Sequence, residues 1–167
     1  MTLIRTDQPS SGKPLLLFIP TSDNSGFVNT TWQTLAEAPY FSIPSSEDTG
    51  IVEDPSDSTR ELRPGEIFFE APLGVVNTTA TARWVQLRVV LEGTSGQQIN
   101  LIPQVVVPAG ETIYLPIQGL RLLKTNLANS EDGGRLQIQA EVNNALTVFG
   151  SAVELEAQTH APDSEAP

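Results

Sequence analysis

Apolar and polar residues alternate through the C-terminal half of the chain. From Arg83 to Glu92, Val85, Leu87, Val89 and Leu91 fall on one side, and Gln86, Arg88 and Glu92 on the other. A period of two marks a strand with one face buried. The pattern recurs from Arg135 to Val142, with Leu136, Ile138, Ala140 and Val142 set against Arg135, Gln137, Gln139 and Glu141. Between these runs, Ile99–Val107 and Thr112–Ile117 are rich in β-formers. Pro108-Ala109-Gly110-Glu111 separates them as a turn in which Gly110 is free to take positive φ. Gly93-Thr94-Ser95-Gly96 reverses the chain once, and Asn143-Asn144 reverses it again before Leu146–Leu155. Upstream, Leu15–Ile19 is a continuous apolar run ended by Pro20, which suits a strand buried on both faces. Glu66–Glu70 reads as a further strand closed by Ala71-Pro72. Trp32–Tyr40 has a mixed period and is expected to be a strand or irregular. Short strands with regular turns predict an all-β fold. That fold is one antiparallel β-sandwich of about eight to ten strands, jelly-roll-like, with little helix. Val85, Leu87, Val89, Leu91, Ile113, Leu115, Leu136, Ile138, Val142 and Val148 are expected inside it.

Three polar stretches interrupt or flank this pattern. Residues 1–14 read as an N-terminal arm and residues 157–167 as a C-terminal tail, leaving 15–156 for the sandwich. Pro44–Pro64 reads as an acidic loop outside the core, because it has many serines and little to bury. Its residues Glu47, Asp48, Glu53, Asp54 and Asp57 are candidate interface positions. Gly26-Phe27-Val28-Asn29-Thr30-Thr31 echoes Gly74-Val75-Val76-Asn77-Thr78-Thr79, and a tryptophan follows each, Trp32 and Trp84. Six residues fit a reused turn-to-strand solution better than a duplicated domain.

Charge and composition narrow the function. The formal net charge is −11, and the nine basic residues form no cluster. Nucleic acid and anionic membrane are therefore not expected as partners. Leu15–Ile19 is too short for a signal-peptide core or for the roughly 20 residues of a membrane span. Cysteine is absent, which removes disulfides and thiolate chemistry. The single histidine, His160, lies in the polar tail, where nothing positions it as a base. With one His and no Cys, a zinc site is not expected, and the acidic loop lacks the ligand spacing of a dedicated calcium loop. A glycosidase needs two carboxylates, and Glu141 and Glu154, either side of a turn, could approach each other, while Glu70 and Glu92 end strands; all four read as the wet face. Trp32, Tyr40 and Trp84 are candidates for a sugar-stacking platform, with Trp32 and Tyr40 also candidate interface residues. No catalytic residue, metal or cofactor is expected.

The run Val75-Val76-Asn77-Thr78-Thr79, Trp84-Val85-Gln86-Leu87, Val107-Pro108-Ala109-Gly110-Glu111-Thr112, Gly119-Leu120, Leu136-Gln137-Ile138, Leu146-Thr147-Val148 and Val153-Glu154 carries a resemblance. Over residues 66–156 the chain resembles small β-sandwich virion proteins of tailed bacteriophages. The resemblance implies a non-enzymatic virion part, present in multiple copies and with no catalytic residues. Its first form is a capsid decoration or cement protein on the major capsid protein lattice, a homo-oligomer with other virion proteins as partners. A tail, neck or fibre component is the alternative, and a carbohydrate-binding module a third reading.

Overall fold

The computed structural model describes residues 4–5, 13–17, 26–44, 53–54, 57–91, 97–124 and 134–156. These form thirteen strands and no helix. In chain order they are β1 (Ile4–Arg5), β2 (Lys13–Leu17), β3 (Gln33–Glu37), β4 (Tyr40–Pro44), β5 (Glu53–Asp54), β6 (Asp57–Phe68) and β7 (Leu73–Asn77). Then follow β8 (Arg83–Val90), β9 (Gln98–Val107), β10 (Thr112–Leu115), β11 (Arg121–Leu123), β12 (Arg135–Ala140) and β13 (Leu146–Glu156).

The strands make two sheets. The smaller is antiparallel, in the order β3-β12-β8-β9. The larger is built on β13. Leu146–Phe149 pair with Asn77–Gly74 of β7, and Val153–Glu156 pair with Phe68–Gly65 of β6. Strands β6 and β7 thus lie end to end along one edge of β13, interrupted at residues 69–72. On their far side β11 continues from β6 and β10 from β7, interrupted at residues 116–120. The two breaks lie side by side and are closed by Phe69 N–H to Leu120 O and Gly119 N–H to Phe69 O. Strand β2 covers the other edge of β13.

Alternation supplies the core. Val85, Leu87, Val89, Leu136, Ile138 and Ala140 point inward from the smaller sheet. Ile67, Leu73, Val75, Leu115, Leu122, Leu146, Val148 and Ala152 meet them from the larger sheet in one buried cluster. The all-β antiparallel sandwich expected from the sequence is what the chain forms. Gly110 takes φ 70° and Asn144 φ 60°, the left-handed geometry their turns require.

Several expectations need correction. The stretch 44–64 is not all loop: Asp57–Pro64 belong to β6 and pair with β4 and β5. Backbone pairing on both sides holds this charged strand, with Leu62 buried, so no apolar alternation advertises it. The arm 1–14 also enters the sheet. Ile4–Arg5 run parallel to Tyr40–Phe41, and Lys13–Pro14 are the start of β2. The tail 157–167 lies outside the described residues. Strand β2 is not buried on both faces: Leu17 is inside, while Leu16 is 74% exposed. Leu91 is 37% exposed, because β8 ends at Val90 and the alternation ends with it. Ile113 and Val142 are only partly buried against the core.

Where the chain crosses from β3 to β4, a charge is enclosed. The Lys124 ammonium has no exposed surface and lies 3.3 Å from Glu37 Oε1. It also sits 5.2 Å from the centre of the Tyr40 ring. One ion pair thereby joins β3 of the smaller sheet to the segment that follows β11 of the larger.

Candidate functional sites on the two outer faces

The expected aromatic platform does not form. Tyr40 is 3% exposed, on the larger sheet, whereas Trp32 and Trp84 are half-buried on the smaller. Of the acidic interface candidates, Glu47 and Asp48 lie outside the described residues. The backbones of Glu53, Asp54 and Asp57 are placed in the β5–β6 hairpin, where Asp54 faces Asp57. Glu141 and Glu154 do not form a carboxylate pair. Glu154 is buried on the inner face of β13, and Glu141 follows β12 in the other sheet. Glu141 lies 3.9 Å from Arg83 and accepts a hydrogen bond from the Trp84 N–H. Glu70 is exposed beyond β6, and Glu92 lies outside the described residues.

The outer face of the larger sheet carries a groove of about 620 Å³. Its origin is a glycine. Gly74 lies between Tyr114 of β10 and Phe149 of β13 in register. A Cβ at Gly74 would stand 2.2 Å from Phe149 Cζ, so the missing side chain makes the room in which the rings meet. Their centres are 6.1 Å apart and their planes at 89°, the edge-to-face arrangement aromatic pairs favour. Leu16, paired with Ser151, forms the far wall, and Ala71-Pro72 at the strand break forms an end. Tyr114 is 64% exposed and Phe149 46%. No lining residue is charged, and the side-chain polar atoms are the Tyr114 and Ser151 hydroxyls. Such a surface supplies burial rather than proton transfer. Further along the same face Arg121 covers the Phe68 ring at 5.1 Å and lies 3.7 Å from Glu66. Sequence reasoning missed Leu16, Tyr114 and Phe149. The signal was the same period of two, read for its outward set: Phe149 alternates with Val148, and Tyr114 with Ile113 and Leu115.

The outer face of the smaller sheet is polar. Arg88 of β8 reaches across β12. Its Nε donates to Gln137 Oε1 at 2.8 Å, its Nη1 donates to Gln98 Oε1 at 2.6 Å, and its guanidinium stacks 4.1 Å from the Trp32 ring centre. Gln137 donates onward to Thr34, and Gln86 to Gln139. Burial first, and Arg135 second, hold the Arg88 pKa below the ordinary arginine value.

No family model matches the chain, and no curated protein matches it. Among solved structures it is similar to the C-terminal family 22 carbohydrate-binding module of Clostridium thermocellum Xyn10B. The identity is 10%, the match covers 92% of this chain and 98% of that one, and the TM-score is 0.33. At that level the likeness carries no functional argument.

Proposed function

We propose that this chain is a non-enzymatic structural protein of a phage virion, of the decoration or cement kind, which docks on the major capsid protein through the outer face of its larger sheet. The observation that carries this reading is the uncharged groove between Leu16, Phe149 and Tyr114, exposed on a chain of net charge −11. The charge favours solubility before docking, while the groove offers a neighbour a place without charge to bury an apolar side chain. Tyrosine at the centre of a contact is a typical anchor, because it buries much area with few rotatable bonds. The resemblance over residues 66–156 supports the virion setting.

The test is attachment to particles that lack the protein. Tyr114→Ser and Leu16→Ser sit on an exposed face and leave the core untouched. Each should weaken attachment by about 2 kcal/mol, roughly thirtyfold, with the melting temperature unchanged for Leu16→Ser and lowered for Tyr114→Ser only by the loss of its edge-to-face contact, about 1 kcal/mol. Full-strength attachment by the double variant would remove the groove from the interface, and no attachment by the unaltered protein would remove the capsid reading.

A further inference from the structure

On the smaller sheet, Arg88 is a cation without a carboxylate. The ion pairs among the described residues join Arg83 to Glu141, Arg121 to Glu66 and Lys124 to Glu37, and Arg88 has no such partner. Two neutral amide oxygens hold its fork in place and the Trp32 indole covers one face. Its Nη2 makes no hydrogen bond to protein and is not fully enclosed, which leaves it available to a ligand. Arg135 lies on the same strand as Gln137, two residues before it, and adds a second positive charge to this part of the face. Burial first and Arg135 second disfavour the Arg88 charge, and a bound anion offsets both.

The surroundings define the rest of the ligand. Gln86 spends its Nε2 on Gln139 and keeps Oε1 as an acceptor, and Gln98 spends Oε1 on Arg88 and keeps Nε2 as a donor. Amides that offer an acceptor and a donor on either side of a guanidinium match hydroxyl groups, which need both. The net charge of −11 repels a polyanion at long range, so a ligand with one carboxylate among neutral hydroxyls fits better than nucleic acid or a run of acidic residues.

We propose that the outer face of the smaller sheet binds a saccharide bearing a single uronic acid, with Arg88 taking the carboxylate and Gln86 and Gln98 taking flanking hydroxyls. This site is independent of the groove on the opposite sheet.

The experiment titrates the full chain with an aldobiouronic acid, one uronic residue linked to one neutral sugar, and follows backbone and indole N–H resonances. Shifts should centre on Trp32 and on the Arg88 and Gln137 amides, saturating below about 10 mM. The same disaccharide with its carboxyl reduced to an alcohol should bind at least about tenfold more weakly, since it loses a charge-assisted pair. Arg88→Gln should lose a similar factor, and Gln98→Ala, at an exposed position, about threefold with the melting temperature unchanged. Equal binding of the reduced sugar overturns the role of Arg88. Tighter binding of a short glutamate peptide overturns the saccharide in favour of a protein carboxylate. Shifts centred on Tyr114, or no binding at about 10 mM, overturn the site.

Discussion

Gly74 and Gly134 both exclude a side chain, and they differ in what a side chain would strike. At Gly74 the obstacle is the far end of the Phe149 ring, which can swing outward. Gly74→Ala should therefore cost under about 1 kcal/mol in urea unfolding, while it breaks the Tyr114–Phe149 contact and closes the groove. At Gly134 the obstacle is the Leu123 carbonyl oxygen, 2.6 Å from the added carbon, and the backbone sits at φ 58°. Gly134→Ala should cost about 2 kcal/mol or more, because neither the carbonyl nor the left-handed backbone can give way cheaply. Lys124 offers the complementary case of a side chain that cannot be removed. Lys124→Ala leaves the mostly buried Glu37 carboxylate without its ammonium and a void where Lys124 stood, and should cost about 3 kcal/mol, measured by the same unfolding. Lys124→Met, which refills the volume, should not rescue it unless Glu37→Gln accompanies it.

At the scale of the element, a strand is legible when packing dictates its composition. Strands β8, β12 and β13 each bury one face, so Leu87, Ile138 and Val148 had to be apolar, and the neighbours of Leu87 and Ile138 are polar. Leu87→Ala should lose about 2–5 kcal/mol, read from the shift in urea midpoint at constant slope. The charged half of β6 obeys a different rule. Asp57–Pro64 gains its place from backbone pairing to β4 and β5, and hydrogen bonds between main chains leave no mark on side-chain choice. The composition there is that of a loop, and reading it as one was the natural error. The candidate sites divide in the same way. The outward rings of the groove were visible in the alternation, but their meeting depends on Gly74, whose neighbour across the sheet is set by register. The Arg88 cluster draws on three strands and the residue before β3, and no local pattern brings Trp32, Arg88, Gln98 and Gln137 together.

At the scale of the molecule, the groove and the acidic hairpin are two separate stretches of the larger sheet. The groove lies without charge on one outer face, while the acidic positions Glu53, Asp54 and Asp57 follow the β5–β6 hairpin. If that hairpin meets a basic capsid surface, replacing Glu47, Asp48, Glu53, Asp54 and Asp57 by their amides should slow attachment to particles. The effect should fade as salt rises from about 50 mM to 500 mM, beyond which surface charges are screened within a few ångströms. Attachment that is equally fast for both proteins at low salt would leave the groove as the sole contact.

The break shared by β6/β7 and β11/β10 has a consequence for how the chain is made. Strand β13 is the element that runs unbroken past both halves of the larger sheet, and it is synthesised after every strand it joins. The smaller sheet has all four of its strands once Ala140 has emerged, so it can assemble while the other still waits. Until then β2, β6 and β7 stand with open edges, the condition in which nascent β proteins aggregate. A released chain ending at Asn144 should show a protease-sensitive larger sheet beside a protected smaller one, and the chain that includes β13 should protect both.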